Sequence, residues 1–258
     1  MIGLAFVAAP ALAQEEPRFC PNRPDLGASA CTTEPGRVLV EMSGIDWQRE
    51  DTVATREDTV LAGDLLVRFG VGPNTEVQVG WTAFGRSRLR DKLTNAVDVV
   101  EGVGDVRLAV RRNLQGNSGG NLELAVEPFV TVPVGRAPIG AGDWSGGVVL
   151  PVGYQLRRGW SLLFTGEASA APDEDGQGHH LAWGGTLGLG REISDQVSAV
   201  VELAASRADD GAGETELVTA LSFGWQPRPG LQFDILGVAG LNRAAPDLQI
   251  QIGGAILF

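Results

Sequence analysis

Charged side chains recur two or four residues apart inside otherwise apolar segments of this sequence. Arg37 and Glu41 lie in one such segment, and Arg107 and Arg111 lie in another. Guanidinium and carboxylate groups at such spacings can pair with one another or bind a polar solute through charge-assisted hydrogen bonds. The candidate residues are Arg37, Glu41, Asp64, Arg68, Asp105, Arg107, Arg111, Glu123, Glu127, Glu167, Glu202 and Asp234.

The sequence offers little for catalysis or metal binding. His179 and His180 are the only histidines, and they stand in an acidic segment that includes Asp173. They could bind a metal, but a hydrophilic, solvated loop explains the same composition. No nucleophile accompanies them in the pattern that a Ser/His hydrolase needs. We expect no metal site, no cofactor and no enzymatic activity.

The two cysteines, Cys20 and Cys31, bracket a segment rich in Pro and Gly. Such pairs form disulfides in oxidising compartments such as the periplasm. Residues 1–13 have the apolar run and the small-x-small end of a secretory signal peptide. We therefore expect a signal peptide over residues 1–13, a periplasmic segment with a Cys20–Cys31 disulfide over residues 14–35, and one domain over residues 36–258.

Strand-like alternation positions the charged residues from residue 36 onward. In one segment Val77, Val79 and Trp81 alternate with Glu76 and Gln78, so that apolar and polar side chains fall on opposite faces of a strand. Gly, Pro, Asn and Asp punctuate the segments. About twelve strands result, and their connections alternate between short and long, which is the pattern of transmembrane barrels with short periplasmic turns and longer outer loops.

Two of the long connections are predicted at residues 48–57 and 85–101. The second is the longest, and it begins with the basic cluster Arg86, Arg88, Arg90 and Lys92. This cluster could attract anionic solutes or lipid phosphates.

The apolar face of the predicted strands carries no charge in the segment cores. A charge at the bilayer midplane costs about 2–4 kcal/mol on the lipid-facing side of a barrel, so this segregation favours a barrel in a membrane. The alternative is a soluble sandwich, in which the apolar faces would meet in a core. Predicted strand ends carry the aromatic residues of a membrane girdle, namely Trp47, Phe69, Trp160, Trp183, Trp225 and Phe258. The fold class is thus predicted as all-β, an antiparallel transmembrane β-barrel.

The composition and the last strand indicate which kinds of partner the protein has. The net charge is −12, which argues against a nucleic-acid partner because phosphate backbones need a basic surface. The final strand, Leu248 to Phe258, alternates and ends on an aromatic residue as outer-membrane strands do. We expect the bacterial outer membrane as the location, with its lipid and lipopolysaccharide and, through this strand, the barrel-assembly machinery as partners.

Three short motifs, 104–111 (GDVRLAVR), 128–135 (PFVTVPVG) and 240–246 (GLNRAAP), resemble the outer-membrane "MetA-pathway of phenol degradation" transporter-like family. The resemblance covers most of the chain from about residue 36. The Cys20–Cys31 segment, which precedes that residue, is not part of it. It implies an outer-membrane channel, and the family name implies a link to the uptake of aromatic compounds.

Two functions remain open for the charged residues. They could line a polar lumen that passively admits small molecules, aromatic or hydrophobic ones among them. They could instead form a salt-bridge network that fills the lumen of a structural or adhesive barrel without transport. A barrel of about twelve strands lies between side-chain-filled barrels and open porins, so strand number does not decide between them.

Overall fold

The computed structural model describes residues 17–117, 120–173, 178–209 and 213–258. The expected signal peptide at residues 1–13 lies outside the described residues. Within the described ranges every regular element is a β-strand. None of the described residues belongs to a helix of the length and hydropathy that a membrane crossing requires.

The strands are long and follow one another along the chain. Their bounds are β1 Val38–Asp51, β2 Thr55–Gly72, β3 Thr75–Asp91, β4 Val97–Gly102, β5 Val106–Gln115, β6 Leu122–Val132, β7 Ser145–Gln155, β8 Trp160–Pro172, β9 His179–Ser194, β10 Val197–Ala208, β11 Thr215–Arg228, β12 Leu231–Gly240 and β13 Leu248–Leu257.

Twelve of these strands close into a barrel. Each pairs antiparallel with its sequence neighbours, and β13 pairs with β1 to seal the sheet. The short strand β4 is additional: it pairs with residues 85–90 of β3, while β5 pairs with residues 75–81 of the same strand. The predicted fold class, an all-β antiparallel barrel of about twelve strands, is confirmed.

The two faces of the wall carry opposite chemistry. Inward-facing Arg68 and Glu76 are each 0% exposed, whereas outward-facing Leu187 is 61% exposed. A soluble protein buries its large aliphatic side chains and leaves its charges in water. Here the arrangement is inverted around a single closed sheet, so the sandwich alternative is wrong.

The two ends of the barrel differ in their connections. At one end, the turn end, short turns join β2 to β3, β7 to β8, β9 to β10 and β11 to β12. At the other, the loop end, residues 133–144 make the longest connection. The connections at the loop end are mostly longer than those at the turn end, as the sequence predicted, except that residues 52–54 alone join β1 to β2.

The predicted loops at residues 48–57 and 85–101 are wrong, because most of those residues are strand. β1 runs to Asp51, β2 starts at Thr55, and β3 runs to Asp91. The 18 residues of β2 rise about 3.3 Å each, which at a tilt of about 45° spans about 42 Å, well beyond an apolar band of about 25 Å. The polar residues at these strand ends lie outside the apolar band. There the strands still pair through backbone hydrogen bonds, but their outward face is no longer apolar.

A one-residue shift in the alternation of inward and outward side chains also made these strand ends difficult to predict. Gly63 in β2 has φ +64°, a conformation that glycine adopts without steric cost, and the β1–β13 register shifts between Ser43 and Ile45. On the turn-end side of this shift Ser43 is buried against the lumen, and on the loop-end side Asp46 is buried instead. The alternation therefore changes phase in the outer halves of β1, β2 and β3, and no simple period continues through it.

The predicted girdle residues occupy both ends of the outward face. Phe69 pairs with Val38 near the turn end, and Trp183 lies near the start of β9 at the loop end. Arg191 lies over the Trp160 ring, with its guanidinium carbon 5.0 Å from the ring centroid. All six residues of the set lie outward or at a strand end, and their role as a membrane girdle stays a prediction.

A charge placed on either face of β9 tests the inversion. Leu187→Arg puts a cation in the middle of the outward face, and we expect it to lower the free energy of unfolding in a bilayer by about 2–4 kcal/mol. The matched control, Thr186→Arg, puts the same charge into the lumen and should cost far less. Urea unfolding of the barrel in phospholipid vesicles measures both, and an equal loss for the two variants would contradict the assignment of the faces.

Candidate functional site

The lumen contains a ladder of ion pairs that starts on the first three strands. Arg68 of β2 lies 3.0 Å from a carboxylate oxygen of Glu41 on β1 and 2.9 Å from one of Glu76 on β3. All three side chains are almost fully buried. Because a buried charge is costly unless it is paired and hydrogen-bonded, these three residues depend on one another.

The ladder continues across β5 and β6. Arg111 lies 2.6 Å from Glu127, and Arg107 lies 2.9 Å from the other oxygen of the same carboxylate. Gln78 of β3 joins the two halves, since its amide donates to Glu76 at 2.7 Å and to Glu127 at 3.0 Å. One side of the lumen, from β1 to β6, is therefore a continuous network of alternating charge.

Residues 17–35, which we call the plug, lie inside the barrel in its turn half. A disulfide joins Cys20 to Cys31 within this segment. The sequence led us to expect residues 14–35 in the periplasm, and the described part of that segment is instead surrounded by the wall. The reason is that the plug has no regular structure of its own, so that its backbone groups need partners, and the inward-facing side chains supply them.

The charged ladder binds one side of the plug. Arg68 donates to the carbonyl oxygens of Cys20 and Cys31 at 2.8 and 3.0 Å. Glu41 accepts hydrogen bonds from the backbone amides of Asn22 and Arg23 at 2.8 and 3.0 Å. The ion pairs of the wall thus also fix both ends of the disulfide-closed loop.

The opposite wall binds the middle of the same loop. Glu202 of β10 accepts from the backbone amides of Leu26 and Gly27 at 2.8 and 3.1 Å. The hydroxyl of Thr165 on β8 accepts from the amide of Ala28 at 2.9 Å. A Cβ on Gly27 would lie 2.8 Å from the Thr165 hydroxyl, so the absent side chain allows this close approach.

Arg23 extends the contacts to the seam of the barrel. Its guanidinium donates to Ser43 of β1 at 2.5 Å and to Asp234 of β12 at 2.7 Å. The plug is therefore bound to strands from β1 to β12, all round the lumen.

Several lumen residues were missed by the sequence analysis. Glu76 and Gln78 were assigned to a polar strand face but not to the candidate set, although they join the two halves of the ladder. Asn113 donates to the carbonyl of Ala30, and Asn117 accepts from the amide of Thr32. In the sequence these residues are recognisable only as polar residues at inward positions of a strand or in a turn. Because no rule of spacing links them to residues about 85 positions away, only the structure joins them to the plug.

The remaining candidates lie apart from the ladder. Arg37 is exposed just before β1, and Asp64 accepts a hydrogen bond from Thr82. Asp105 accepts from the amides of Gly135 and Ala141 and so organises the connection between β6 and β7. Glu123 and Glu167 line cavities on the two sides of the plug.

The two histidines lie at the start of β9, where each bonds to a different partner. His180 bonds to Asp173 at 2.8 Å, and His179 bonds to the carbonyl of Trp144 at 2.7 Å. Within the ranges that the structure describes, no group of three or more His, Cys, Asp and Glu is arranged to hold a metal ion.

Two cavities flank the plug. The turn-side cavity has a volume of about 1160 Å³ and is bounded by the plug, by Glu123 and by Leu163. The loop-side cavity has a volume of about 980 Å³ and extends from Leu26 of the plug to residues of β8–β11. Thr165 lines both cavities, so they approach each other where Ala28 bonds to it.

Asp25 is the ionisable group of the plug that is buried against the opposite wall. Burial raises the pKa of Asp25 to about 7, and the neighbouring Glu202 and Asp234 carboxylates add to the rise, whereas a hydrogen bond from Ser222 opposes it. At acidic pH the carboxyl group is neutral and fits this position; as the pH rises towards neutral it becomes a carboxylate facing two others.

The closed wall and the polar lumen define the class of protein: a transmembrane β-barrel of the outer-membrane type. The chain belongs to the family described as "Putative MetA-pathway of phenol degradation", whose model matches residues 21–258. The resemblance inferred from the three motifs is confirmed, and the match also includes residues 21–31, up to the second cysteine. No curated protein matches the chain.

Three solved structures illustrate the similarity of this chain to known folds. An outer-membrane channel from Pseudomonas putida F1 is 13% identical, with a TM-score of 0.70 over 89% of this chain and 98% of the channel. The translocator domain of the autotransporter NalP from Neisseria meningitidis is 12% identical, with a TM-score of 0.55 over 88% and 90% of the two chains. The NanC porin is 7% identical, with a TM-score of 0.53 over 85% and 98%. At these identities the likeness concerns the fold.

Removing the centre of the ladder should destabilise the barrel. Arg68→Ala leaves Glu41 and Glu76 buried without their shared cation and removes both bonds to the disulfide-closed loop, so we expect a loss of about 3–5 kcal/mol. Arg37→Ala, at an exposed position, should stay within about 0.5 kcal/mol. Denaturant titration in detergent micelles compares them, and similar losses for both would refute the role of the ladder.

The binding of the plug should weaken as pH rises. Because docking raises the pKa of Asp25 above its ordinary value of 3.8 to about 7, the contribution of this carboxyl group to plug binding is complete below about pH 4 and is lost progressively up to about pH 7. Hydrogen exchange at the Leu26 and Gly27 amides, corrected for intrinsic rates, should therefore be slower at acidic than at alkaline pH.

Asp25→Asn should abolish this dependence, whereas Asp195→Asn, at an exposed turn, should retain it. Protection that does not change with pH in the unaltered protein would contradict the assignment.

Proposed function

We propose that the protein is a passive outer-membrane channel for small molecules, aromatic or hydrophobic ones among them, which pass beside the plug. The observation that carries this proposal is the pair of cavities on the two sides of the plug, which approach each other at Thr165. There the Thr165 hydroxyl contacts both the amide and the carbonyl of Ala28, at 2.9 and 3.4 Å. On the β1–β3 side the charged side chains of Arg68 and Glu41 bind the plug backbone. The proposed passage follows the side on which the plug contacts the neutral side chain of Thr165.

The chemistry of that side suits weakly polar solutes. Alanine and glycine residues of β9 and β10 line part of the loop-side cavity, beside charged residues that include Glu167 and Arg207. Next to them, Leu26 of the plug and Val218 pack against a buried apolar cluster of Ala220, Leu236 and Val238. A ring or short alkyl group loses no hydrogen bonds to water when it contacts such a surface. The charged ladder, on the other side, is neutralised by its own pairs.

The comparisons agree with this proposal at a coarser level. The family description refers to phenol degradation, and the Pseudomonas putida structure is that of an outer-membrane channel. Neither description concerns an enzyme, and a channel needs none of the catalytic groups that the sequence lacks.

A closed, non-transporting barrel is the second candidate, and one contact favours it. The Ala28 amide and the Gly27 backbone lie against Thr165 at the only position that lines both cavities among those described. If the plug never leaves this position, the lumen is sealed and the protein has a structural or adhesive role.

Flux through reconstituted vesicles distinguishes the two functions. Phenol and benzoate have similar sizes and differ in charge, and we expect the neutral solute to enter faster. Thr165→Trp should block the junction and reduce phenol entry to the level of protein-free vesicles. Phe164→Trp, one residue away on the outward face, should leave entry unchanged, since its side chain does not reach the lumen.

A chain in which residues 20–31 are replaced by a short Gly-Ser linker provides the complementary control. It should conduct more than the unaltered protein, because the plug is gone. A folded, unaltered barrel that admits neither solute, together with an open linker variant, would overturn the channel in favour of the closed barrel.

A further inference from the structure

The arginines near the loop end of β3 face away from the lumen. In the outer half of this strand Gly85 and Ser87 are buried towards the interior, and Ser87 donates to Glu57 at 2.6 Å. Arg86 and Arg88 alternate with them and therefore project outward. The sequence analysis considered these arginines as part of a loop; they instead belong to the wall.

The outward arginines of three neighbouring strands form a regular array. Cross-strand partners share a face, and neighbouring strands lie about 4.8 Å apart. From β1 to β4, the outward rows read Trp47–Val60–Arg86–Glu101, then Arg49–Asp58–Arg88–Val99, then Asp51–Arg56–Arg90–Val97. Rows are about 6.8 Å apart, so five guanidinium groups lie within a patch roughly 15 Å across. We call these five residues the arginine patch.

Three carboxylates lie in these rows beside the five arginines, namely Asp51, Asp58 and Glu101, and Asp51 pairs with Lys92. They do not neutralise the patch. Asp58 is shared by Arg49 and Arg56, at 2.8 and 3.1 Å. Arg86 lies 3.4 Å from Glu101, and both side chains are about half exposed, which makes this pair weak.

The last two arginines of the patch add uncompensated charge. Arg90 donates to the amide oxygen of Asn95. Within the described ranges, Arg88 has no carboxylate partner. The patch is therefore cationic on a chain whose net charge is −12.

The depth of the patch indicates what it meets. The row directly below it is Ile45–Ala62–Phe84, which is fully apolar. Trp47 begins the first row of the patch, and the Arg49 guanidinium stacks over its ring at 4.7 Å. Aromatic residues of barrels lie at the boundary of the hydrocarbon, so the guanidinium groups lie at the depth of the lipid headgroups.

We propose that the arginine patch binds the phosphate groups of lipopolysaccharide in the outer leaflet. Guanidinium groups recognise phosphate oxygens through paired hydrogen bonds, and the lipid A headgroup carries phosphates at this depth. The array presents several donors to one headgroup, with Arg88 free of competing carboxylates. The site lies on the outside of the wall and does not depend on the proposed channel.

Native mass spectrometry of the full chain in a non-ionic detergent tests the proposal. We expect bisphosphorylated lipid A to bind and dephosphorylated lipid A to bind about tenfold or more weakly, a difference of about 1.4 kcal/mol or more. Phosphatidylglycerol and inorganic phosphate are the two comparison probes. Both should bind more weakly than lipid A, and raising the salt concentration should release lipid A.

Matched variants locate the site. The triple variant Arg86→Gln, Arg88→Gln and Arg90→Gln should lose about tenfold or more in affinity for bisphosphorylated lipid A. The control, Arg112→Gln, Arg157→Gln and Arg228→Gln, removes the same charge from the turn end and should bind as the unaltered protein does. Arg88→Gln alone should show a smaller loss in the same direction and remains informative if the triple variant does not fold.

Three results would overturn the proposal. They are unchanged binding in a folded triple variant or, if that variant does not fold, in Arg88→Gln; equal binding of dephosphorylated lipid A; and binding of inorganic phosphate as tight as that of lipid A. The last result would assign the patch to free anions rather than to a lipid headgroup.

Discussion

The closure of the sheet is the constraint on which the rest of this structure depends. A bilayer offers no partners for backbone amides and carbonyls, so a spanning sheet must satisfy all of them within itself. The pairing of β13 with β1 removes the two free edges of the sheet. Once the cylinder is closed, its outward side chains must be apolar, and every charge in the apolar zone has to lie inside. The inverted distribution of Leu187 and Arg68 follows from this geometry.

Charges gathered inside a narrow cylinder need partners, and the lumen supplies them in two ways. Arg68 and Glu76 neutralise each other across neighbouring strands. Their remaining hydrogen-bonding capacity is used by the plug, whose carbonyls and amides have no strand to pair with. The ion pairs and the plug are thus complementary, because each satisfies groups that the other would leave buried and unpartnered.

The sequence predicted the wall well and its contents poorly. Val77, Val79 and Trp81 alternate with polar neighbours over a whole strand, so local periodicity identifies their face. That periodicity fails at Gly63, where a positive φ changes the phase. The prediction began β2 three residues late, at residue 58, and ended β3 too early, at residue 84. The pairing of Cys20 with Cys31 needed no structure, since the chain has two cysteines.

The position of the plug could not be read from the sequence for a different reason. The Arg23–Asp234 bond joins residues 211 positions apart, and no local pattern carries that information. The same contact has a consequence for assembly. Strands that are distant along the chain share one short segment as a common partner, so the plug links the two ends of the sheet in the closed barrel. The entropic penalty of closing so long a loop is then offset by contacts to a segment only a few residues from β1.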